Sequence, residues 1–353
     1  MNLDHVKDLQ PEVKRMRLIK VACPVVLIFS LFVLGWPNRA DAFAVYPFYS
    51  RHMSPVTQIF GLPPAEGGTL TPSGHMEGRV VLDIANNFNK GKNPNETLNF
   101  DGETYRTTLA LRYGLNKTLE IGLDVPYVAH TGGIFDGFIE GFHNVFHFTN
   151  RSRDKVEKNQ LDYQYTRDGI RRIDIENSTS GLGDLMLSLG VRLYRDEEPH
   201  GRSAALRLGL KLPTGDSDRL LGSGSTDFSL ALAGTDPATL SAWDMTLFGE
   251  IGGVWIHDSE VLEDMTRHLA GFGTLGFGWA PLTWMALKAQ LDVHSPFFRD
   301  TRINALGPWA TQVDVGFTFA LTKKTFFDLG ISEPILVETA PDVDFHLALR
   351  RRF

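Results

Sequence analysis

The sequence has almost no cysteine, no block of charge of one sign and no apolar run long enough to suggest a helical membrane protein. Its 353 residues include one cysteine, Cys23, which excludes an internal disulfide framework and a cysteine-based metal site. The net charge of -7 is spread along the chain, a pattern that disfavours nucleic-acid binding. The mean hydropathy of -0.12 argues against membrane helices but not against a membrane β-barrel, whose alternating faces average out.

A targeting signal is evident at the N-terminus. Basic residues cluster within 14–20, an apolar run follows over 21–35, and residues 40–42 (Ala-Asp-Ala) form a small-residue cleavage site. The apolar run is shorter than the ~20 residues of a membrane-spanning helix. We therefore predict that residues 1–42 are a cleaved signal peptide, with an uncleaved membrane anchor as the alternative. Cleavage would remove Cys23 and leave the mature chain without a thiol.

From residue 77 onward, short runs alternate between apolar and polar residues. Within 183–195, for example, every second residue from Leu185 to Leu193 is leucine or valine. This is the period of a strand with one apolar and one polar face. Charges at every second position suit a wet barrel interior better than the core of a sandwich. The predicted strands are 77–88, 104–113, 118–128, 183–195, 203–214, 225–235, 243–257, 268–280, 283–294, 310–322, 325–333 and 342–353.

The connections between these strands are alternately short and long. Residues 113–118 form one of the tight turns, whereas 88–104 and 129–182 are long. Short periplasmic turns, long outer loops and an even number of strands are typical of outer-membrane barrels. The predicted fold class is therefore all-β: a closed antiparallel transmembrane β-barrel of about 12 strands over 77–353, with one long outer loop at 129–182 that carries a short helix.

The last predicted strand, 342–353, completes the barrel. Every second residue from Val343 to Leu349 is apolar, Arg351 departs from this pattern, and the strand ends on an aromatic residue, Phe353. An aromatic residue at the membrane interface is typical of such strands. We expect this strand to pair with 77–88 and with 325–333, and to be the part of the chain that the barrel-assembly machinery recognises.

The long outer loop contains two further patterns. An Asp168-Gly169 turn between 163–167 and 170–175 predicts a β-hairpin that is too charged for contact with lipid. Phenylalanines at helical spacing over 134–148 predict an amphipathic helix that caps or gates the barrel. The predicted gate residues are Phe135, Phe138, Phe142 and Phe146.

Residues 43–76 join the signal peptide to the first predicted strand. The segment is apolar and rich in proline, which argues against a strand within the sheet. We expect it to lie on the periplasmic side or to plug the barrel.

The polar faces of the strands supply the candidate functional residues. Both signs of charge occur in nearly equal numbers, whereas an ion-selective pore would show rings of one sign. Two interpretations are open: these side chains line a path for a solute, or they form a salt-bridge network that fills a narrow barrel. The predicted lumen-lining residues are Arg106, Arg112, Glu120, Asp124, Arg192, Arg207, Lys211, Glu250, Lys288, Asp292, His294, Asp314 and Asp328.

Signals for catalysis or metal binding are weak. His294 resembles half of a nucleophile pair, but the adjacent Ser295 points to the opposite face of the strand. His143 and His147, spaced i and i+4 on the predicted helix, lack a third ligand. We predict no catalytic residue, no metal and no cofactor.

Two motifs carry a resemblance to known barrels. A G-L-G-D motif at 181–184 and an L-P-T-G-D motif at 212–216 resemble those of Gram-negative outer-membrane barrels, among them the MetA-pathway phenol-degradation-associated channels. With the G-F-I-E-G-F-H stretch and the final phenylalanine, the whole mature chain is similar to a proteobacterial outer-membrane family of unknown function. The resemblance implies a barrel but no established activity. The glycines and aspartates of the motifs also fit turns.

The sequence thus predicts a non-enzymatic protein of the bacterial outer membrane, in contact with lipid and without a nucleic-acid partner. The leading hypothesis is a channel or transporter for small solutes, hydrophobic or aromatic ones among them. The alternatives are an outer-membrane lipid hydrolase, which would use His294 and a serine from a neighbouring strand, and a non-transporting structural barrel.

Overall fold

A computed structural model of the protein describes residues 44–133, 159–197, 201–335 and 341–353. The predicted signal peptide and the predicted loop helix with its four phenylalanines lie outside these ranges. No helix within them is long and apolar enough to cross a membrane. The strands are β1 (Met76–Lys92), β2 (Glu96–Gly114), β3 (Leu119–Thr131), β4 (Asp162–Arg167), β5 (Ile170–Ile175), β6 (Thr179–Leu182), β7 (Met186–Arg195), β8 (Ser203–Lys211), β9 (Thr226–Asp236), β10 (Met245–His257), β11 (Leu269–Leu282), β12 (Met285–His294), β13 (Ala310–Ala320), β14 (Thr325–Pro334) and β15 (Val343–Arg352).

Twelve of these strands close into one antiparallel barrel. The order around the barrel is β1, β2, β3 and then β7 to β15, after which β15 pairs with β1 again. The last strand pairs with β1 over Glu77–Asn86 and with β14 over Thr325–Ser332. Both neighbours are the predicted ones. The predicted all-β class, the closure and the strand number are confirmed.

The two faces of the barrel differ as the alternation predicts. On the outward face, Ile251 of β10 and Leu275 of β11 are 69% and 68% exposed. On the inward face, charged residues such as Lys288 and Asp314 are buried. A continuous apolar surface of this kind is costly in water and is typical of membrane barrels.

The connection between β1 and β2 is not the long loop that was expected over 88–104. Both strands run on until only residues 93–95 separate them. The Asn93 side chain fixes this tight turn, because its Oδ1 accepts hydrogen bonds from the backbone N–H groups of Asn95 (3.0 Å) and Glu96 (2.9 Å). On the edge away from β1, this part of β2 pairs with β4 and not with β3. It therefore lacks the alternation that a lipid-facing strand shows, and the sequence pattern missed it.

The predicted hairpin of the outer loop is confirmed. β4 and β5 pair around Asp168 and Gly169, both of which have positive φ. β4 also pairs with Glu96–Asp101 of β2, and β6 pairs with Tyr127–His130 of β3. These three strands extend the wall at one end of the barrel, called here the loop end. The opposite end, where β1 begins and β15 ends, is called the terminal end.

Candidate functional site

Residues 44–71, called here the inner segment, occupy the lumen. At the terminal end, the guanidinium of Arg350 lies 4.1 Å from the centre of the Tyr46 ring. Further along, the backbone N–H of Phe48 donates a hydrogen bond to Oε1 of Gln290 on β12 (3.0 Å). The chain thus enters the barrel at the terminal end and runs toward the loop end.

The inner segment then reverses and returns to the terminal end. At the turn, the Phe60 ring stacks on Phe297 with 5.0 Å between ring centres and 2° between planes. On the way back, the backbone N–H of Gly61 donates to Asp227 (2.7 Å), and that of Thr71 donates to Glu120 (2.5 Å). Gly61 has to be glycine here, since a β-carbon would lie 2.7 Å from the β-carbon of Asp227.

A buried group of polar and charged side chains fastens both arms of the inner segment to the wall. This lock cluster consists of Tyr49, Arg51 and Glu66 from the inner segment and Arg112, Asp124 and Arg207 from the wall. The Tyr49 hydroxyl donates to Asp124 (2.6 Å). Glu66 lies 2.7 Å from Arg112 and 2.8 Å from Arg207. Because these charges are buried or half-buried, loss of one member would weaken the pairing of its partner at a cost of up to several kcal/mol.

Electrostatics keeps Glu66 ionised inside the lumen. Burial disfavours its charge, but the guanidiniums of Arg112 and Arg207 outweigh burial and lower the pKa of Glu66 to about 2. The lock cluster therefore remains ionically paired over the whole physiological pH range.

The loop end of the lumen is an apolar chamber. Val56, Ile59 and Phe60 of the inner segment pack there against side chains of the wall and of the β4–β5 hairpin. Tyr163 and Tyr165 of β4 are fully buried in it. The lumen thus has two parts: a charged part toward the terminal end and an aromatic-rich apolar part at the loop end.

Two small cavities border the inner segment among the described residues. Two interior cavities have volumes of about 10 and 30 Å³, the first beside Arg106 and Lys211 and the second beside His52 and His294. A single water molecule requires at least ~10–15 Å³ on this measure. These two cavities have room for one or two water molecules and not for an organic solute.

The predicted lumen-lining residues all lie on barrel strands. Ten are buried, namely Arg106, Arg112, Glu120, Asp124, Lys211, Glu250, Lys288, His294, Asp314 and Asp328. Arg192, Arg207 and Asp292 are half-buried. The structure brings Arg112, Asp124 and Arg207 together in the lock cluster, and it pairs Lys288 with Asp328 at 3.2 Å.

Sequence reasoning missed the contribution of the inner segment to this site. Tyr49, Arg51 and Glu66 belong to no strand and follow no period, so the alternation that identified the wall residues does not reach them. The available signal was the presence of isolated charged residues in an otherwise apolar, proline-rich segment.

A family model described as a protein of unknown function, DUF3187, matches residues 24–353. The chain belongs to the DUF3187 family. The match includes the inner segment and all the strands, and it confirms the similarity to an uncharacterised family that the motifs indicate. A comparison of the DUF3187 protein with curated proteins finds no match.

Solved structures similar to this DUF3187 protein are outer-membrane barrels. The COG4313 outer-membrane channel from Pseudomonas putida F1 has a TM-score of 0.53 and 15% sequence identity, over 81% of this chain and 98% of that one. The NanC porin (TM-score 0.43, 9% identity, 78% and 98% coverage) and the CymD monoaromatic hydrocarbon channel (0.34, 9%, 80% and 88%) are less similar. At 15% identity, the similarity to the COG4313 channel shows a shared fold and no more. The NanC and CymD structures are too distant to support an argument.

The two family motifs meet in space and fasten a loop to the wall. Asp184 of the G-L-G-D motif accepts hydrogen bonds through Oδ1 from the backbone N–H groups of Thr214 (3.0 Å) and Gly215 (2.8 Å) of the L-P-T-G-D motif. Its Oδ2 accepts from Lys211 Nζ (2.6 Å) and from the backbone N–H of Ser223 (3.1 Å). The motifs therefore have a structural role at the site where β7 begins and β8 ends.

The arrangement around His294 does not form a nucleophile pair. Its Nδ1 lies 2.9 Å from the backbone carbonyl of Ser295, and no hydrogen-bond partner for its Nε2 is found among the described residues. The Ser295 hydroxyl instead accepts a hydrogen bond from the backbone N–H of Gly271 (2.9 Å). The hydrolase hypothesis thus lacks its serine in the described part of the chain.

Proposed function

We propose that this DUF3187 protein is an outer-membrane channel for small solutes that the inner segment holds closed. The observation that carries the proposal is that the twelve-strand ladder closes without the inner segment. No residue of 44–71 belongs to a strand, and side-chain contacts attach the segment to the wall. The inner segment can therefore leave the lumen without breaking a backbone ladder, and its departure would open a path along the barrel axis.

The apolar chamber supports the part of the proposal that concerns the solute. A solute that crosses the loop end of the lumen would pass buried aromatic side chains such as Phe297, Phe298 and Tyr163. Aromatic rings bind apolar and aromatic groups through stacked and edge-to-face contacts. The proposed solutes are accordingly small molecules with an apolar or aromatic part.

The outer surface supports the proposed location in the outer membrane. Apolar residues face outward along the strands, and Phe353 is 52% exposed at the terminal end, where it follows β15. We propose that lipid covers this surface, that residues 1–42 direct export, and that the barrel-assembly machinery recognises β15 with Phe353.

Conductance in planar lipid bilayers tests the channel. The variant Glu66→Gln leaves Arg112 and Arg207 without their shared carboxylate, and we expect its open probability to exceed that of the wild-type protein about tenfold or more. Glu176→Gln is the matched control, because Glu176 is exposed and lies beside the β4–β5 hairpin. A complete absence of conductance, and of solute uptake by proteoliposomes, in all three proteins would contradict the proposal.

A non-transporting structural barrel is the second candidate. The small volume of the two interior cavities favours it, since a barrel that never opens needs no path. It predicts that Glu66→Gln lowers stability without producing conductance.

A further inference from the structure

Oxygen-bearing side chains lie on one side of the lumen in two in-register rows, on β10 to β12 and on β13 to β15, which are offset by two residues where β12 meets β13. Glu250 of β10 is paired with Thr274 of β11, and Thr274 is paired with Asp292 of β12. Further around the barrel, Ser332 of β14 lies between Asp314 of β13 and Asp344 of β15. Adjacent strands are about 4.8 Å apart, so these side chains form a near-continuous arc. We call it the acceptor belt: Glu250, Thr274, Asp292, Asp314, Ser332 and Asp344.

The acids of the acceptor belt have no cationic partner among the described residues. Asp292 accepts hydrogen bonds from Thr274 (2.5 Å) and from Gln290 (2.9 Å), both of which are neutral. Gln290 also donates to Asp314 at 3.3 Å, so the two carboxylates share one amide. No Lys, Arg or His in the described ranges forms an ion pair with any of the four belt acids.

Two groups in the belt are left open. Asp344 is 3% exposed, and neither of its carboxylate oxygens has a side-chain donor within the described part of the chain. The hydroxyl of Ser332, also 3% exposed and adjacent in register, has no partner either. A buried carboxylate without a partner is strongly unfavourable, and so is a second carboxylate two strands away. A bound cation or a proton on the carboxyl group would relieve this cost, and the described residues supply no cation beside Asp344.

The opposite wall differs, because its cations are already neutralised. Arg112 pairs with Asp124, Arg207 with Glu120 and Lys211 with Asp184. On the belt side Lys288 is also paired, with Asp328, so the nearly balanced charges of the lumen divide into ion-paired groups and the four unpaired acids of the belt. The nearly equal numbers of acidic and basic residues in the sequence do not reveal this division, because the register of the strands determines which acids have a basic partner.

We propose that the acceptor belt is a cation-binding site that makes the channel select small cationic solutes. The proposal rests on the proposed function, because the belt faces the path that the inner segment now fills. Rows of acidic side chains select cations in channels, and oxygen ligands favour hard cations and ammonium groups. No group of three or more His, Cys, Asp or Glu side chains in the described ranges is arranged to hold a metal ion. The occupant is therefore a weakly held, exchangeable cation and not a resident metal.

The reversal potential under a tenfold KCl gradient tests the selectivity. The full chain carrying Glu66→Gln serves as the open background. We expect its current to be cation-selective, and we expect the added substitutions Asp314→Asn and Asp344→Asn to lower the potassium-to-chloride permeability ratio about threefold or more. Asp174→Asn, which removes an exposed acid on β5, is the matched control and should leave the ratio unchanged. A non-selective or anion-selective current contradicts the inference and leaves the channel itself intact.

The absence of any current would count against the channel. In that case a second measurement tests the cation site by itself. Calcium chloride is the probe, and the thermal unfolding of the full wild-type chain in detergent is the readout. We expect millimolar calcium to raise the unfolding temperature by a few degrees, and we expect Asp344→Asn to abolish the rise. An equal rise in both proteins, or no rise in the wild-type protein, would overturn the cation site.

Discussion

His346 on β15 donates a hydrogen bond from Nδ1 to the carboxylate of Asp83 on β1, at 2.6 Å. Both side chains are 1% exposed, and 263 residues separate them along the chain. They are direct cross-strand partners at the seam where the last strand meets the first. The seam is therefore closed by a polar contact inside the lumen as well as by the backbone ladder.

The variant His346→Ala should destabilise the barrel by about 1.5–3 kcal/mol, because it leaves the buried carboxylate of Asp83 without its donor. Unfolding by urea in lipid vesicles, followed by tryptophan fluorescence, measures the loss. His75→Ala is the control, since His75 is exposed and precedes β1. Equal effects of the two substitutions would show that the seam does not depend on this contact.

The variant Asp184→Asn should release the loop that follows β8. Asp184 holds Thr214, Gly215 and Lys211, and its neutralisation leaves the buried Lys211 without its nearest carboxylate. We expect a loss of about 3–5 kcal/mol and faster trypsin cleavage at Arg219. Asp218→Asn, an exposed change in the same loop, should have neither effect. Unchanged cleavage in Asp184→Asn would refute the fastening role of the two motifs.

Acidification should loosen the inner segment through His52. Burial and the neighbouring His294 lower the pKa of His52 well below its usual value, so the docked segment holds His52 neutral. The released segment binds a proton below about pH 6.5, and docking therefore weakens by up to about 1.4 kcal/mol per pH unit as the pH falls. His294, Asp292 and Glu250 border the same cavity.

Open probability in bilayers measures this effect. It should rise about tenfold between pH 7.5 and 5.5 in the wild-type protein, and the rise should be much smaller in His52→Gln. Glu66 does not account for it: its pKa of about 2 keeps its stabilising contribution at full strength above about pH 4.5, and the contribution is lost only as the pH falls toward 2. A pH response that His52→Gln leaves intact would assign the effect to other groups.

A charge on the outward face should be costly in lipid. Leu275 is 68% exposed and lies in the middle of β11, paired with Leu291 of β12. We expect Leu275→Arg to destabilise the folded barrel in vesicles by about 2–4 kcal/mol. Ile170→Arg is the control, because Ile170 is 62% exposed on the β5 hairpin beyond the barrel. If both substitutions cost the same, lipid does not cover β11.

The sequence by itself determined the barrel, because period-two alternation records the environment of each face. It placed strands such as β7 and β13 and the pairing of β15 with its two neighbours. It did not determine the long β1–β2 hairpin, since a strand that leaves the membrane no longer alternates.

The tertiary structure alone decided how the lumen is organised. Glu66 meets Arg112 and Arg207 because an irregular segment folds back into the barrel, and no local pattern encodes that path. Asp344 has no ion-pair partner among the described residues, because strand register, which couples residues far apart in sequence, puts Ser332 and Asp314 beside it. Alternation tells which way a side chain points, whereas the partner that it meets depends on how twelve strands and one inner segment fit together.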